Sequence, residues 1–277
     1  MSRETLLEST LYLLALALFL FGFGDGVPTA PAFALSDKAA GALRVMTWNV
    51  GGSTEDGAWG SPLLDAHIEH AARVIREVDP DLCFLQEIRT RRQARQIHGA
   101  LGDGWTLEVA NSEYGRRVIV LAQRGSIEAQ ALTESSSHAL GLTYTPTNRT
   151  PLFAVGLHAD VSSAQNRNDE IGSVVEYLIN QELPALFMGD LNIDLDIDKR
   201  RDLFTDNEYL DVETYNFIAT RLRDVGRGTG STAEPDRRLD YIFVDENAFD
   251  LLSAGPLRNR RLDNMDHDPV VADLIQK

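Results

Sequence analysis

Short apolar runs alternate with longer stretches in which apolar residues recur every three or four positions. "LRVMTWNV" (Leu43–Val50) is β-branched and aromatic, stops at Gly51-Gly52, and predicts a strand. From Leu64 to Val78 the apolar residues are Leu64, Ile68, Ala71, Ala72, Ile75 and Val78, the spacing of one helix face. Asp79-Pro80 ends that helix. "LCFLQE" (Leu82–Glu87) is nearly continuous in apolar residues, as in a strand buried on both faces. Arg89–Leu101 predicts a second helix and Asp169–Leu178 a third. Val118–Ala122, Leu152–Leu157, Ala185–Asp190, Leu239–Val244 and Val270–Ile275 predict further strands. No Pro/Gly-rich linker divides the chain after Leu43, so the pattern predicts one α/β domain over residues 43–277.

The N-terminus follows a different pattern. Leu11–Gly24 is a continuous apolar run of about 14 residues, short of the ~20 that a spanning helix needs. A Pro/Ala stretch follows, with Ala32-Phe33-Ala34 in the small-x-small form of a cleavage site. Residues 1–34 are expected to be a signal peptide, which makes the domain secreted or periplasmic. The alternative is an uncleaved anchor that holds the domain to the outer side of a membrane, since Leu6 and Leu7 could lengthen the run.

Composition adds two constraints. The chain of 277 residues is 43% hydrophobic and 25% charged, ordinary for a globular protein with a sizeable core. Its net charge of −16 excludes the broad basic field of a tight, non-specific nucleic-acid binder. A local cationic site or metal ions would still allow such a chain to cleave nucleic acid. The single cysteine, Cys83, lies inside an apolar run and is expected to be a buried structural thiol.

Candidate chemistry collects where the predicted strands end. The first ends at Asn49, the second at Glu87, the "LFAVGLHAD" strand at His158, and "ALFMGDLN" at Asp190 and Asn192. "RRLDYIFV" carries Asp240, and Asp266-His267 precedes the last strand. Strand ends are where α/β folds assemble their sites. Asn49, Glu87 and Asp266 offer hard oxygen ligands, which suit Mg²⁺ or Mn²⁺ better than zinc. His267, beside an acid, is placed to act as general base on a water. His158 and Asn192 are placed to donate hydrogen bonds to an anionic phosphoryl group. Taken singly, each residue has a plainer role: Glu87 as a cap for the next helix, Asp240 as a surface partner of Arg237 or Arg238, His158 as a structural imidazole. Six such endings in one chain are much harder to assign to accident.

In order along the chain, "TWNV", "LQE", "LHAD", "GDLN", "LDYIFV" and "DHDPVV" resemble the endonuclease/exonuclease/phosphatase superfamily. Pancreatic-type deoxyribonucleases, abasic-site endonucleases, neutral sphingomyelinases and inositol-polyphosphate 5-phosphatases belong to it. The resemblance implies a four-layer α/β sandwich, two mixed β-sheets packed face to face with helices outside. It also implies roles. Asn49 and Glu87 match metal-binding positions, and Asp266 a residue that positions metal and phosphate. His158 matches the histidine at the scissile phosphate or leaving group. Asp190 and Asn192 match the pair that orients nucleophile and phosphate. Asp240 matches the acid that orients the base, His267.

Departures bear on the substrate. The "WCDR" signature of inositol 5-phosphatases is absent, and the abasic-site enzymes lack a histidine at the "LHAD" position. The carboxylate that pairs with this histidine in pancreatic-type deoxyribonucleases has no clear match, with Glu113 the one candidate, and Arg116 and Arg117 nearby read as surface charge. The expected function is an exported Mg²⁺- or Mn²⁺-dependent phosphodiesterase acting as a monomer, most simply a nuclease on nucleic acid. A sphingomyelinase or phospholipase C-like enzyme acting on a phospholipid head group, or a small-substrate phosphatase, is the alternative. A lipid-specific enzyme is expected to show an exposed aromatic hairpin; the sequence has no convincing one, and Trp59 is a loop tryptophan without an assigned role. A non-catalytic binding module on the same fold is a third reading, which the full set of acid, amide and imidazole residues argues against.

Overall fold

The computed structural model describes residues 33–51, 65–110, 117–130, 132, 138–196 and 208–277. Most of the predicted export segment, and Trp59, Glu113 and Arg116, lie outside these residues. Twelve strands and four helices are described. They are β1 (Leu43–Asn49), α1 (Asp65–Val78), β2 (Leu82–Ile88), α2 (Arg91–Leu101), β3 (Thr106–Val109), β4 (Arg117–Ala122), β5 (Gly125–Gln130) and β6 (Ala139–Pro146). After these come β7 (Leu152–His158), α3 (Ala164–Ile179), β8 (Ala185–Asp190), α4 (Glu208–Ala219), β9 (Arg223–Asp224), β10 (Asp240–Val244), β11 (Phe249–Pro256) and β12 (Val270–Gln276).

The strands form two six-stranded sheets, ordered β11-β12-β1-β2-β4-β3 and β5-β6-β7-β8-β10-β9. In each sheet the third and fourth strands are parallel and every other pair is antiparallel. A parallel pair needs a crossover, and α1 and α3 supply the two. Both sheets are therefore mixed, as the family resemblance implies.

The layers follow from which faces are apolar. Val45, Leu82, Phe84 and Val120 of the first sheet meet Leu142, Ala154, Leu186, Met188 and Ile242 of the second in one core. The opposite face of the first sheet carries Met46, Trp48, Cys83 and Leu85, which pack on Ile68, Ala71, Ile75 of α1 and Ala94, Ile97 of α2. On the second sheet Phe153, Val155, Phe187 and Phe243 pack on Ile171, Val174, Val175 and Leu178 of α3, and on Tyr215 and Ile218 of α4. Strands covered on both faces read as continuous apolar runs, and all seven residues of β1 and of β7 are buried. Phe84 of the first sheet packs over Gly156 of the second, where a Cβ would overlap its ring. Cys83 is fully buried and burial pushes its thiol far up, so it is inert core. At the base, the Arg44 guanidinium clamps Asp273 through two bonds of 2.7 and 2.8 Å, joining β1 to β12.

Candidate active site

The eight candidate residues converge at one end of the two sheets. His158 and Asp190 are register partners across β7 and β8, and Asp190 and Asp240 are partners across β8 and β10. Three site residues therefore lie in a line across the second sheet. Asn49 ends β1 of the first sheet, and its Nδ2 donates to Asp190 Oδ2 at 2.9 Å. That bond joins the two sheets at the site.

Glu87 is placed by a bulge. Between Leu85 and Ile88 the pairing of β2 with β4 slips by one residue, and Glu87 takes φ 63°. An extra residue in a strand bends it and re-aims a side chain, and a left-handed backbone is costly for a residue with a Cβ. Here the carboxylate is turned back over Gly51, where a Cβ would overlap it. Gly51 is thus the space that Glu87 occupies, and its N–H donates to Asn49 Oδ1 at 2.9 Å. Glu87 does not cap α2; Thr90 does, through a capping box with Gln93.

Asp190 Oδ2 is the hub of the site. Besides Asn49, it has His158 Nε2 at 3.6 Å and His267 Nε2 at 3.7 Å. Its other oxygen accepts from the Asn192 N–H at 3.0 Å. Asn192 has a left-handed φ of 51° and donates from Nδ2 to Ala159 O at 3.0 Å, which fixes the amide plane. One N–H of that amide is thereby used. His158 Nε2 also lies 3.8 Å from Glu87 Oε1.

His267 enters from the loop between β11 and β12. Its Nδ1 is 2.8 Å from Asp240 Oδ2, a carboxylate with no solvent exposure. The bond fixes the tautomer and turns Nε2 toward Asp190. Trp48 Nε1 donates to the His267 carbonyl at 2.9 Å and fastens the loop to β1. Arg237 and Arg238 do not neutralise Asp240, since Arg237 pairs with Asp194 and Arg238 with Asp224.

One positioning residue is absent from the sequence reading. Thr232, 1% exposed, donates from Oγ1 to Asp240 Oδ2 at 2.7 Å and accepts from the Leu239 and Asp240 N–H groups at 3.0 and 3.1 Å. The second threonine of "GTGSTAEP" carries no sequence signal for this. It acts only because the turn at 232–237 folds back on β10, with Thr232 and Ala233 N–H groups donating to Arg237 O at 2.8 Å.

Charge is concentrated here. Burial pushes the Asp240 carboxyl up, to about 6, against the lowering effect of His267. For His267, burial works downward, but Asp240, Asp190 and Asp266 outweigh it and hold the imidazole well above its ordinary range. The two groups share a proton, and the geometry favours it on the ring, which faces three carboxylates. Burial also raises Asp266; His267 offsets this in part, and Glu87 and Asp190 add to it.

Two groups could hold a cation. Asp190, Asp240 and His267 have ligand atoms all within 4.8 Å of one another. In that group Asp240 Oδ2 already serves His267 Nδ1 and Thr232 Oγ1, while Asp240 Oδ1 is buried with no hydrogen-bond partner among the described residues. Glu87 and Asp266 are only half-buried and repel each other. Hard carboxylate oxygens beside an amide fit Mg²⁺ or Mn²⁺, and the space at Gly51 lets Glu87 reach that position. Asn49 donates from Nδ2 to Glu87 and Asp190, with Oδ1 turned to Gly51.

Two mixed six-stranded sheets between helix layers, with an acid–imidazole site at their ends, define the class. Residues 46–262 match the Endonuclease/Exonuclease/phosphatase family, and the chain belongs to it. Among solved structures it is similar to the human Nocturnin catalytic domain with bound sulfate anion, at TM-score 0.65 and 15% identity, covering 87% of this chain and 97% of that one. D. rerio TDP2 complexed with single strand DNA product gives 0.63 and 15%, covering 84% and 98%. The mannosyl-6-phosphatase of Bacteroides thetaiotaomicron gives 0.61 and 17%, covering 84% and 99%. No curated protein sequence matches the chain.

Proposed function

We propose that the chain is a Mg²⁺- or Mn²⁺-dependent phosphodiesterase, exported from the cytoplasm, whose simplest substrate is nucleic acid. The observation that carries this reading is the 2.8 Å bond between His267 Nδ1 and the fully buried Asp240. It leaves Nε2 as the one ring nitrogen able to take a proton, beside Asp190 and within the same cluster as Glu87 and Asp266. A binding module has no need of an imidazole held in one tautomer.

The chemistry divides among the residues as follows. His267 Nε2 accepts a proton from the attacking water, and Asp240 stabilises the imidazolium that results. Asp190 holds that water between the two histidines. His158 and the free N–H of Asn192 meet the phosphoryl oxygens or the departing oxygen. Glu87, which accepts from Asn49, and Asp266 would hold the cation. A divalent cation there supplies neutralising charge at the phosphoryl oxygens and makes the neighbouring base easier to deprotonate.

A phosphatase acting on a small anionic substrate is the second reading. The net charge of −16 favours it, since a long polyanion would be repelled by most of the surface. A lipid substrate has less support: the large exposed hydrophobics among the described residues are Ile179, Leu195, Tyr209 and Leu252, on no common hairpin. The deciding experiment is an assay of residues 35–277 with Mg²⁺ on plasmid DNA, RNA, sphingomyelin and sugar or inositol phosphates. Nucleic-acid cleavage abolished by EDTA is expected. Turnover of the small monoesters alone would replace the diesterase reading with the phosphatase, and no turnover on any substrate would refute both. Export is checked by mass spectrometry of protein from the native host, where an N-terminus near Leu35 is expected and an intact Met1 in the membrane fraction would favour the anchor.

A further inference from the structure

Beyond Glu87 the chain reads "IRTRRQARQIHGALG". Arg89, Arg91, Arg92 and Arg95 fall within seven residues, and no Asp or Glu occurs between Ile88 and Gly102. In a chain of net charge −16 this is a local reversal of sign, and it begins two residues after Glu87, where β2 ends and α2 starts. Arg91 and Arg92 also stand in the first turn of α2, the end that disfavours cations. A helix N-terminus carries about half a positive charge from its aligned peptide dipoles and favours acids by roughly 0.3–1 kcal/mol each. The first turn of α2 has no acidic residue. Its cap is neutral, with Thr90 Oγ1 accepting from the Gln93 N–H and Gln93 Oε1 from the Thr90 N–H, both at 3.1 Å.

Packing decides which way the arginines point. Ala94 and Ile97 are fully buried against the first sheet. Arg92 and Arg95, one helix turn apart, are exposed, and no carboxylate pairs with either among the described residues. Side chains so spaced lie about 5–6 Å apart on the helix surface. Local stability gives no reason for uncompensated guanidinium groups at this end of a helix.

We propose that the arginine face of α2 is a track for the phosphate backbone of a nucleic-acid strand, holding phosphates that flank the one at the catalytic site. The proposal rests on the phosphodiesterase reading and narrows its substrate class. Guanidinium groups suit phosphate oxygens because they present paired donors. A membrane surface fits less well, because an interfacial helix needs apolar side chains beside its charges and no large exposed hydrophobic lies on α2. A small monoester would not reach past the site to a second and third cation.

The test uses the mature chain and its Arg92→Ala/Arg95→Ala variant. Binding of a fluorescent single-stranded DNA of about 20 nucleotides is followed by anisotropy in EDTA, from about 50 to 300 mM salt, where each backbone contact contributes about 0.7 to the slope of log K against log salt. Turnover of bis(4-nitrophenyl) phosphate with Mg²⁺ is measured in parallel. The variant should bind more weakly with a slope smaller by about 1.4, while turnover of the small diester stays within about twofold. It should melt no lower than wild type, because the lost charges oppose the helix dipole. Equal affinity and slope in the two proteins would overturn the track. So would a wild type that binds phosphatidylserine vesicles and not DNA, or one with no salt-dependent binding. Wild type that binds DNA as expected but fails to turn over any diester would leave the track standing and remove the hydrolase reading.

Discussion

The two halves of the molecule use the same scaffold for different work. β1–α1–β2 and β7–α3–β8 are each a parallel pair joined by a helical crossover, and each occupies the third and fourth places of its sheet. Each delivers two side chains to the site from its strand ends: Asn49 and Glu87 from the first, His158 and Asp190 from the second. The second half ends in order, with Asp190 1% exposed and hydrogen-bonded on both oxygens. The first half ends in a bulge, with Glu87 half-buried and its backbone in the left-handed region. Equivalent positions thus give a half-buried acid on a bulge in one half and a buried acid hydrogen-bonded on both oxygens in the other. The scaffold sets where the groups stand, and the local backbone sets what each can do.

The largest expected effect comes from breaking the Asp240–His267 pair that stands beside the locked Asp190. His267→Ala should lower turnover by about 10²–10⁴-fold with the fold retained, the usual worth of general-base catalysis. Asp240→Asn should follow it, because an amide in place of the carboxylate no longer stabilises the imidazolium. Turnover within about threefold of wild type in either variant would remove the base from His267.

Gly51→Ala breaks the first half without touching a ligand. The added methyl must displace the Glu87 carboxylate, so metal affinity should fall by about 10–100-fold, the range for residues that support ligands. Titration with Mn²⁺ checks this, and unchanged affinity would show that Glu87 does not need the space. Thr232→Val should cost less. It removes one hydrogen bond to a buried carboxylate, worth about 1.5–3 kcal/mol, so kcat should drop by about 10–100-fold with KM nearly constant. Thr232→Ser should restore most of kcat; a serine variant no better than valine would mean that packing of the methyl matters, and the hydroxyl does not.

These contrasts explain what could be read in the sequence. β1, β2, β4, β7, β8, β10 and β12 are legible as apolar runs because both faces of each are covered. β5 alternates exposed and half-buried residues, β11 is broken by a bulge at Leu251–Ser253, and β9 has two residues. These lack the run that signals a buried strand. α4, "EYLDVETYNFIA", mixes aromatics and acids around its circumference and gives no clear apolar stripe. α3 begins five residues earlier than its periodicity suggests, because Ser163 caps it and the charged Arg167 is buried against Asp211. All eight candidate site residues were legible as polar strand endings, and the structure gathers them at one end. The bulge at Glu87 and the support from Thr232 were not, since both depend on pairing between distant segments.

The smallest effect is electrostatic and confined to the second half, at the turn into α3. Burial works upward on the Asp160 carboxyl, but hydrogen bonds from Ser163, Ser162 and Asn166 outweigh it and hold its pKa below the ordinary 3.8. A depressed folded pKa means that the stabilisation is fully present above the ordinary value and is lost as pH falls through the folded one. The difference in Tm between wild type and Asp160→Asn should therefore be constant at neutral pH and narrow below about pH 4. A difference that widens on acidification would contradict the assignment.

The division between the halves meets its most direct test in Mn²⁺ binding to Glu87→Gln and Asp240→Asn, measured by calorimetry on the two variants beside wild type. If Glu87 and Asp266 hold the cation while Asp240 orients the base, Glu87→Gln should lose at least about tenfold in affinity and Asp240→Asn should stay near wild type. Equal losses, or a loss confined to Asp240→Asn, would place the cation in the Asp190–Asp240–His267 group and contradict the account.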